Sequence, residues 1–289
     1  METAVSHRSS PARVRIAIPL ATALAALLCS ALATAQPSPS AQSASQARQA
    51  AQPEAQAGQA VPHVGKTVAT LPAHITLPIV LAHTIDSRHA VVGQPVVGKL
   101  AQHVQIGPDA WLPKGALVQG RILAVHAAQS ATGPSVAFEF HRVTAKHSVW
   151  RTKTSLLALA SLMEVYEATE PATDFDDRAN QNEHAWTVRQ IGGDIVYRDS
   201  DRIDDSHGQR VGTEDAQGQY SLPGVNPDGS PQLPRALGLF STTAHGVYGM
   251  PGYTFANEKK TGAIAINAGP DAKHLQLHYG VSLLLETEP

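Results

Sequence analysis

The chain has a single cysteine among its 289 residues, Cys29, and it lies inside an apolar N-terminal segment. If that segment is removed on export, the remaining chain has no thiol. It can then form no disulfide, no thiolate metal site and no cysteine nucleophile. The fold must be held by noncovalent interactions alone.

Charge of either sign is also scarce. The chain has 22 Lys and Arg against 24 Asp and Glu, a formal net charge of −2, and loss of the leader (three arginines, one glutamate) takes this to −4. There is no basic stripe, which argues against a nucleic-acid partner. A charged fraction of 16%, with 22 glycines and 20 prolines, is typical of a turn-rich β protein rather than a helical bundle.

The first 35 residues have the three parts of a signal peptide. Three arginines precede an apolar run that starts at Ile16 and ends in the small-residue site Ala33-Thr34-Ala35. Two alternatives remain open at this point: a retained N-terminal anchor, and a lipoprotein modified at Cys29. After residue 35 no apolar run is long enough to cross a membrane as a helix. We therefore predict a periplasmic, outer-membrane-associated or extracellular protein.

Residues 36–62 are a Gln/Ala/Ser/Pro tract with almost no apolar side chain larger than alanine. Such a segment cannot bury a core, so we predict a disordered linker. It is either a tether or spacer, or a featureless tail left after cleavage. The domain organisation predicted is a signal peptide over 1–35, this linker, and a β-rich domain over 63–289.

Alternating apolar residues predict strands in the first part of that domain. Ile75, Leu77, Ile79 and Leu81 occupy every second position, and Pro78 among them indicates an edge strand. Similar runs of alternating residues follow, separated by Gly/Pro turns. These runs contain Val96, Leu100, Val104 and Ile106; then Val118, Ile122 and Ala124; then Val136, Phe138 and Phe140.

Residues 155–168 have a different spacing. Leu156, Leu159, Met163 and Tyr166 fall near a helical repeat, and Ser155 is a suitable N-cap, so a short helix is predicted. A strand through Leu156–Leu159 is the alternative, because short apolar runs fit both structures.

From residue 165 to 235 the chain is polar and loop-like, with one strand predicted over about 185–197 and a bend at Gly192-Gly193. The C-terminus is the clearest strand, since apolar residues from Leu275 to Leu285 share one parity, and Leu284 indicates burial on both faces. We therefore predict a mainly β fold, an antiparallel β-barrel or sandwich with one short helix. Residues 64–160 and 236–289 form its β unit, and 165–235 are a long loop-rich insertion.

Three short motifs carry a family resemblance. They are Leu71-Pro72-Ala73-His74-Ile75, with His74 where the pattern has a glycine; Ile85-Asp86-Ser87; and Leu112-Pro113-Lys114-Gly115-Ala116 followed by Gly120. In this order, with the closing strand 275–285, they resemble the β-barrel domain of TrbI-type proteins of conjugation and type IV secretion machines. The resemblance implies an envelope protein that assembles with other subunits and has no catalytic residues.

Metal sites are weakly indicated. Four carboxylates, Asp199, Asp201, Asp204 and Asp205, resemble half of a calcium loop, but Ile203 stands at a ligand position and no terminal glutamate follows. Of the thirteen histidines after the leader, His274 and His278 would lie about 13 Å apart on one strand, too far to share an ion. No cofactor is predicted, and calcium is the one cation kept as an alternative.

Catalytic and binding residues are equally sparse. Ser241 and His245 are near each other in sequence, but no Gly-x-Ser-x-Gly elbow marks a nucleophile. The glycine-rich stretch 246–253 with its tyrosines could contact a ligand or a partner, so His245, Tyr248 and Tyr253 are the candidate binding residues. The alternative is a tight loop whose tyrosines cover the end of the β unit.

Three functional hypotheses follow. The first is a non-catalytic envelope protein that acts by binding or assembly, with another envelope protein or a second copy as partner. The second is a secreted hydrolase or carbohydrate-binding protein with a site in 165–253. The third is a structural domain whose disordered arm spans the periplasm or the cell wall. The absence of a catalytic motif favours the first.

The leader generates the first prediction. Signal peptidase should cut after Ala35, so that the protein purified from the envelope of expressing cells begins at Gln36 by intact-mass spectrometry. Replacing Ala35→Leu should block cleavage, because the enzyme requires a small side chain there. An uncut unsubstituted chain would show a retained anchor instead, and a lipid-modified start at Cys29 would show a lipoprotein.

Overall fold

A computed structural model describes residues 68–129, 132–169, 185–193, 195–199, 201–226 and 228–289. The predicted signal peptide and linker lie outside these residues. Among the described residues no helix has the length and hydropathy needed to cross a bilayer.

Twenty strands and one helix are found in the described residues. The strands before the helix are β1 (Val68–Thr70), β2 (Thr76–Leu81), β3 (Ile85–Asp86), β4 (Pro95–Leu100), β5 (Val104–Gly107), β6 (Ala110–Leu112), β7 (Leu117–His126), β8 (Ser135–Ala145), β9 (Ser148–Arg151) and β10 (Thr154–Ala160). The helix α1 is Leu162–Thr169. The strands after it are β11 (Ala185–Arg189), β12 (Ile195–Asp199), β13 (Arg202–Asp204), β14 (Arg210–Asp215), β15 (Gly218–Ser221), β16 (Gly246–Tyr248), β17 (Thr254–Glu258), β18 (Ala263–Asn267), β19 (Gln276–Leu277) and β20 (Ser282–Thr287).

Most strands outside the insertion form one sheet in the order β1-β9-β8-β7-β4-β2-β20-β10-β16, with β18 paired to β8 and β17 to β18. Its pairs are antiparallel except β1–β9 and β10–β16. Two two-stranded pairs, β3–β19 and β5–β6, accompany it. The predicted mainly β, antiparallel fold is confirmed. The strand ladder does not close into a barrel, so the sandwich-like alternative is the one observed.

The C-terminal strand β20 is an inner strand with both faces buried. It pairs antiparallel with β2 on one side and with β10 on the other. Leu283 and Leu285 face the main core, while Leu284 belongs to a second cluster with Ala158 and Phe240 on the opposite face. The prediction that Leu284 indicates burial on both faces is confirmed.

Pro78 does not mark an edge strand, which corrects that prediction. Strand β2 lies between β4 and β20, but its pairing with β4 begins only at Ile79. Pro78 contributes its carbonyl, which accepts the N–H of Ala101 at 2.9 Å. The missing proline N–H therefore lies outside the β2–β4 ladder, which is why a proline is tolerated in this inner strand.

The helix predicted over 155–168 is wrong in its first half. Residues Thr154–Ala160 form β10, as the strand alternative had it, because they pair with β20. Tertiary pairing here overrides a spacing that also fits a helix. The helix starts later, and its N-cap is Ser161, not Ser155: Ser161 Oγ accepts the N–H of Glu164 at 3.2 Å.

The C-terminal strand predicted from 275 to 285 is interrupted. Strands β19 and β20 are separated by a turn at Tyr279-Gly280, where Gly280 has φ +91°. Tyr279, predicted on the buried parity, is 66% exposed. The positive φ favours glycine at this position, and a Cβ there would displace only the end of the Leu162 side chain, whose Cδ1 would lie 2.8 Å away.

The insertion contains more regular structure than the single strand predicted over 185–197. Strands β11 to β15 form a five-stranded antiparallel meander, and Gly192-Gly193 lies in the turn between β11 and β12 rather than inside a strand. These strands are short and polar, so alternation of apolar residues does not reveal them. The meander is held by backbone pairing and by side-chain contacts such as Gln190–Gln219 and Arg198–Glu214, and a buried amide of the main sheet attaches to it.

That amide is Gln102, which follows β4. Its Nε2 donates to Gln219 O at 2.8 Å, and its Oε1 accepts the N–H groups of Gln219 at 3.2 Å and Gly238 at 2.8 Å. Nearby, Tyr220 Oη donates to His103 O at 3.1 Å, and burial raises the pKa of Tyr220 to about 12. The Gln102 amide thus pairs with β15 as a neighbouring strand would.

A second side-chain amide joins β17, the outer strand of the β8–β18–β17 branch, to β10. Asn257 in β17 accepts the N–H of Leu156 at 2.8 Å and donates to its carbonyl at 2.9 Å. The register of β10 shifts between Leu156 and Ala158, so a β-bulge lies beside this contact. Asn257 thus links β17 to β10 where no backbone ladder joins these two strands.

The buried amide generates the second prediction. Replacing Gln102→Ala leaves the N–H groups of Gln219 and Gly238 without their acceptor, and should reduce the free energy of unfolding by about 2–4 kcal/mol in urea titrations. Replacing the exposed Gln129→Ala should change it by less than about 0.5 kcal/mol. Equal stability of both variants would show that the Gln102 hydrogen bonds do not hold the meander.

Candidate functional site

Three of the four predicted calcium residues, Asp201, Asp204 and Asp205, have partners within the chain. Asp201 and Asp204 lie in ion pairs with Arg210 and Arg202, at 3.9 and 2.6 Å. Asp205 Oδ1 accepts the N–H groups of Gln209 and His207, and these backbone hydrogen bonds hold the pKa of that carboxyl below its usual value.

The side chain of Asp199 lies outside the described side chains. Within the described parts of the chain, no group of three or more His, Cys, Asp or Glu residues is arranged to hold a metal ion.

Ser241 and His245 do not form a catalytic pair. Ser241 Oγ donates to Gly192 O at 2.9 Å, and His245 Nδ1 donates to Leu157 O at 2.9 Å. Each side chain therefore donates to a different backbone carbonyl, and no hydrogen bond links the serine to the histidine. This geometry gives the hydroxyl of Ser241 no general base in His245.

The three candidate binding residues have different surroundings. Tyr248 Oη accepts the N–H of His245 at 3.0 Å and donates to its carbonyl at 2.9 Å, which closes a local turn. The His245 ring packs edge-on against Phe255, with centroids 6.2 Å apart. Tyr253 instead points toward the β19 segment, where its Oη accepts the N–H of Gln276 at 3.2 Å. Only Tyr253 of the three lines a cavity adjoining α1.

That cavity has a volume of about 310 Å³. It lies between the start of α1, the glycine-rich loop and the segment leading to β20. Its lining residues are Ser161, Leu162, Gly249, Met250, Tyr253, His274, Gln276, His278 and Val281. His274 and His278, which the sequence pattern separates along one strand, both line this cavity.

Beside the cavity, α1 presents large apolar side chains to solvent. Leu162, Met163 and Tyr166 are 52%, 64% and 58% exposed, and Tyr279 is the exposed residue of the neighbouring turn. The helix packs on the molecule through the small Ala168 and the partly buried Val165. We call Leu162, Met163, Tyr166, Tyr279 and the adjoining cavity the α1 surface.

Ion pairs fix the helix that carries this surface. Arg189 at the end of β11 pairs with Glu164, at 3.4 Å, and with Glu167. These contacts and the Ser161 cap hold α1 between the insertion and the main sheet. The apolar side chains of α1 are thus displayed on a fixed element.

The α1 surface was not among the predicted sites. A helix over 155–168 would place Leu156, Leu159, Met163 and Tyr166 on one apolar face, the usual pattern of a helix packed on the core. Because Leu156 and Leu159 belong to β10 instead, Met163 and Tyr166 are exposed to solvent. The signal that could reveal this is Ser161 followed by a short amphipathic segment whose small residue, Ala168, faces inward.

Comparisons with known proteins give no assignment. No protein-family model, no curated protein and no solved structure matches the chain. Functional argument therefore starts from the geometry described above.

The cavity wall generates the third prediction. Gly249 has φ +65°, and a Cβ there would lie 2.6 Å from Glu164 Cγ and closer still to Ser161 Oγ. The serine cannot move away without losing the helix cap. Replacing Gly249→Ala should therefore displace the loop from α1 and cost about 1–3 kcal/mol beyond the backbone strain.

Gly252 in the same loop supplies the matched control. Its φ is +80°, but a Cβ there would meet nothing closer than 3.8 Å. Replacing Gly252→Ala should cost only the backbone strain, about 1–2 kcal/mol. Equal losses for the two variants, measured by chemical unfolding, would contradict a steric role for Gly249.

Proposed function

We propose that this protein is an exported, non-catalytic assembly module of the cell envelope that binds a second copy of itself through the α1 surface. The observation that carries the proposal is a helix that directs its large apolar side chains outward. Apolar side chains exposed singly are common, but a contiguous set beside a cavity is typical of a protein–protein contact.

The chemistry of the surface favours a second copy as the partner. Protruding side chains, Leu162 and Met163, stand next to a cavity lined by Met250, Tyr253 and Val281. A two-fold contact is formed by the same patch on both subunits, so such a patch must contain both projections and recesses. The α1 surface contains both, and methionine and tyrosine are enriched in such contacts.

Sequence features support the envelope setting of the proposal. The N-terminal 35 residues have a signal-peptide pattern. The resemblance to TrbI-type domains implies assembly with other subunits. His74 stands where that pattern has a glycine, and its φ of +64° is in the left-handed region that glycine favours.

The fourth prediction tests self-association. Sedimentation equilibrium of protein purified from expressing cells should show a dimer, because the exposed apolar side chains are then removed from water. Replacing Leu162→Asp would place a charge in that contact. It should weaken dimerisation by about 30-fold, the equivalent of about 2 kcal/mol.

A matched variant tests whether the effect is specific to this surface. Val225 is 70% exposed but lies outside the α1 surface, so Val225→Asp should leave the dimer unchanged. A protein that is monomeric at roughly 100 µM, or a Leu162→Asp variant as dimeric as the unsubstituted chain, would refute the proposal.

A further inference from the structure

A second cavity, of about 500 Å³, lies apart from the α1 surface and shares no lining residue with it. It is bounded by the turn between β1 and β2, by Leu157 at the β10 bulge, by Glu286 of β20, and by Asn226 and residues of 231–235. Its volume falls within the roughly 300–1,000 Å³ of small-ligand sites.

The charged groups of this cavity leave one cation without a carboxylate. Glu286 Oε1 lies 3.3 Å from His74 Nδ1, a contact that is an ion pair only when the His74 ring is protonated. Arg235 donates from Nη1 to Thr242 O at a long 3.4 Å. Among the described residues, no carboxylate lies within 4.0 Å of the Arg235 guanidinium. A ligand carboxylate would match its planar fork of donors.

The remaining lining suits the body of a peptide. The amides of Asn226 and Gln232 supply donors and acceptors, and Asn226 keeps Oδ1 as an acceptor while its Nδ2 donates to Ser230 Oγ. Leu157, Leu233 and the prolines Pro72 and Pro231 form apolar walls. One guanidinium with amides and apolar walls suits a monoanionic carboxylate better than a phosphate, which is doubly charged near neutral pH.

The walls are fixed before any ligand binds. The 72–75 turn is held to the C-terminal strand by the N–H of His74, which donates to Thr287 O at 2.8 Å, and by Thr287 Oγ1, which donates to Pro72 O at 2.7 Å. These contacts keep His74 at its positive φ, a conformation that a non-glycine residue seldom adopts and that often occurs at functional sites. On the opposite side, Asn226 and Ser230 are joined by hydrogen bonds of 2.8 Å.

We infer that this cavity binds the C-terminal end of a short peptide, with the terminal carboxylate on Arg235. The last peptide groups contact Asn226 and Gln232, and an apolar side chain packs against Leu157 and Leu233. This site is independent of self-association through the α1 surface.

The fifth prediction uses N-acetyl-alanyl-alanine as the probe and its C-terminal amide as the control. Titration of ¹⁵N-labelled protein purified from expressing cells should give saturable chemical-shift changes at residues 72–75 and 226–235. The amide probe lacks the charge that Arg235 recognises, so it should bind at least about tenfold more weakly.

Variants of the arginine locate the effect. Arg235→Gln should weaken binding of the carboxylate probe about tenfold or more. Arg235→Lys should weaken it less, because lysine keeps the positive charge but lacks the paired N–H donors of the guanidinium. Arg151→Gln, at an exposed arginine of β9 outside the cavity, should bind as the unsubstituted chain does. Thermal unfolding of each variant checks that the fold is kept, and Arg235→Lys remains the test if Arg235→Gln unfolds.

Several results would overturn the inference. These are no saturable shift up to roughly 10 mM probe, equal affinity for the carboxylate and amide probes, or equal affinity for glucuronate, an acidic sugar. Leu162→Asp should bind the peptide normally, so failure of self-association and failure of peptide binding are distinguishable.

Discussion

Strand β20 lies between β2 and β10, and through these pairings it joins the first described strands of the chain to those that precede the insertion. Its leucines are buried on both faces, Leu283 and Leu285 in the main core and Leu284 against the cluster beneath α1. Both candidate surfaces depend on this strand. It carries Glu286 into the 500 Å³ cavity, and the turn before it carries Tyr279 to the α1 surface.

Where backbone pairing ends, side-chain amides take its place. Gln102 binds the N–H and the carbonyl of Gln219, and Asn257 binds the N–H and the carbonyl of Leu156. An amide can do this because it has a donor and an acceptor side by side, as a peptide group does. The first contact attaches the meander to the β4 end of the sheet, and the second joins β17 to the bulge in β10. In both places a single side-chain amide joins two segments that no strand ladder connects.

The strands whose apolar residues alternate could be predicted from sequence, because one buried face imposes a period of two on residues such as Val136, Phe138 and Phe140. The boundary between β10 and α1 could not, since Leu156 and Leu159 fit both periods and only the distant partner β20 decides between them. The meander was not predicted because its short strands carry few apolar residues, so no alternating pattern marks them. Of the candidate sites, Tyr253 was predicted from its glycine-rich loop, whereas the place of Arg235 in the second cavity depends on long-range packing that no local pattern reports.

Native-state hydrogen exchange in increasing denaturant tests the role of β20 most directly. If this strand joins the two parts of the sheet, the paired amides of β2, β10 and β20 should exchange only through global unfolding, with one common free energy. Exchange of residues 282–287 at a lower free energy, while β4, β7 and β8 stay protected, would show that the sheet persists without its C-terminal strand and would contradict this account.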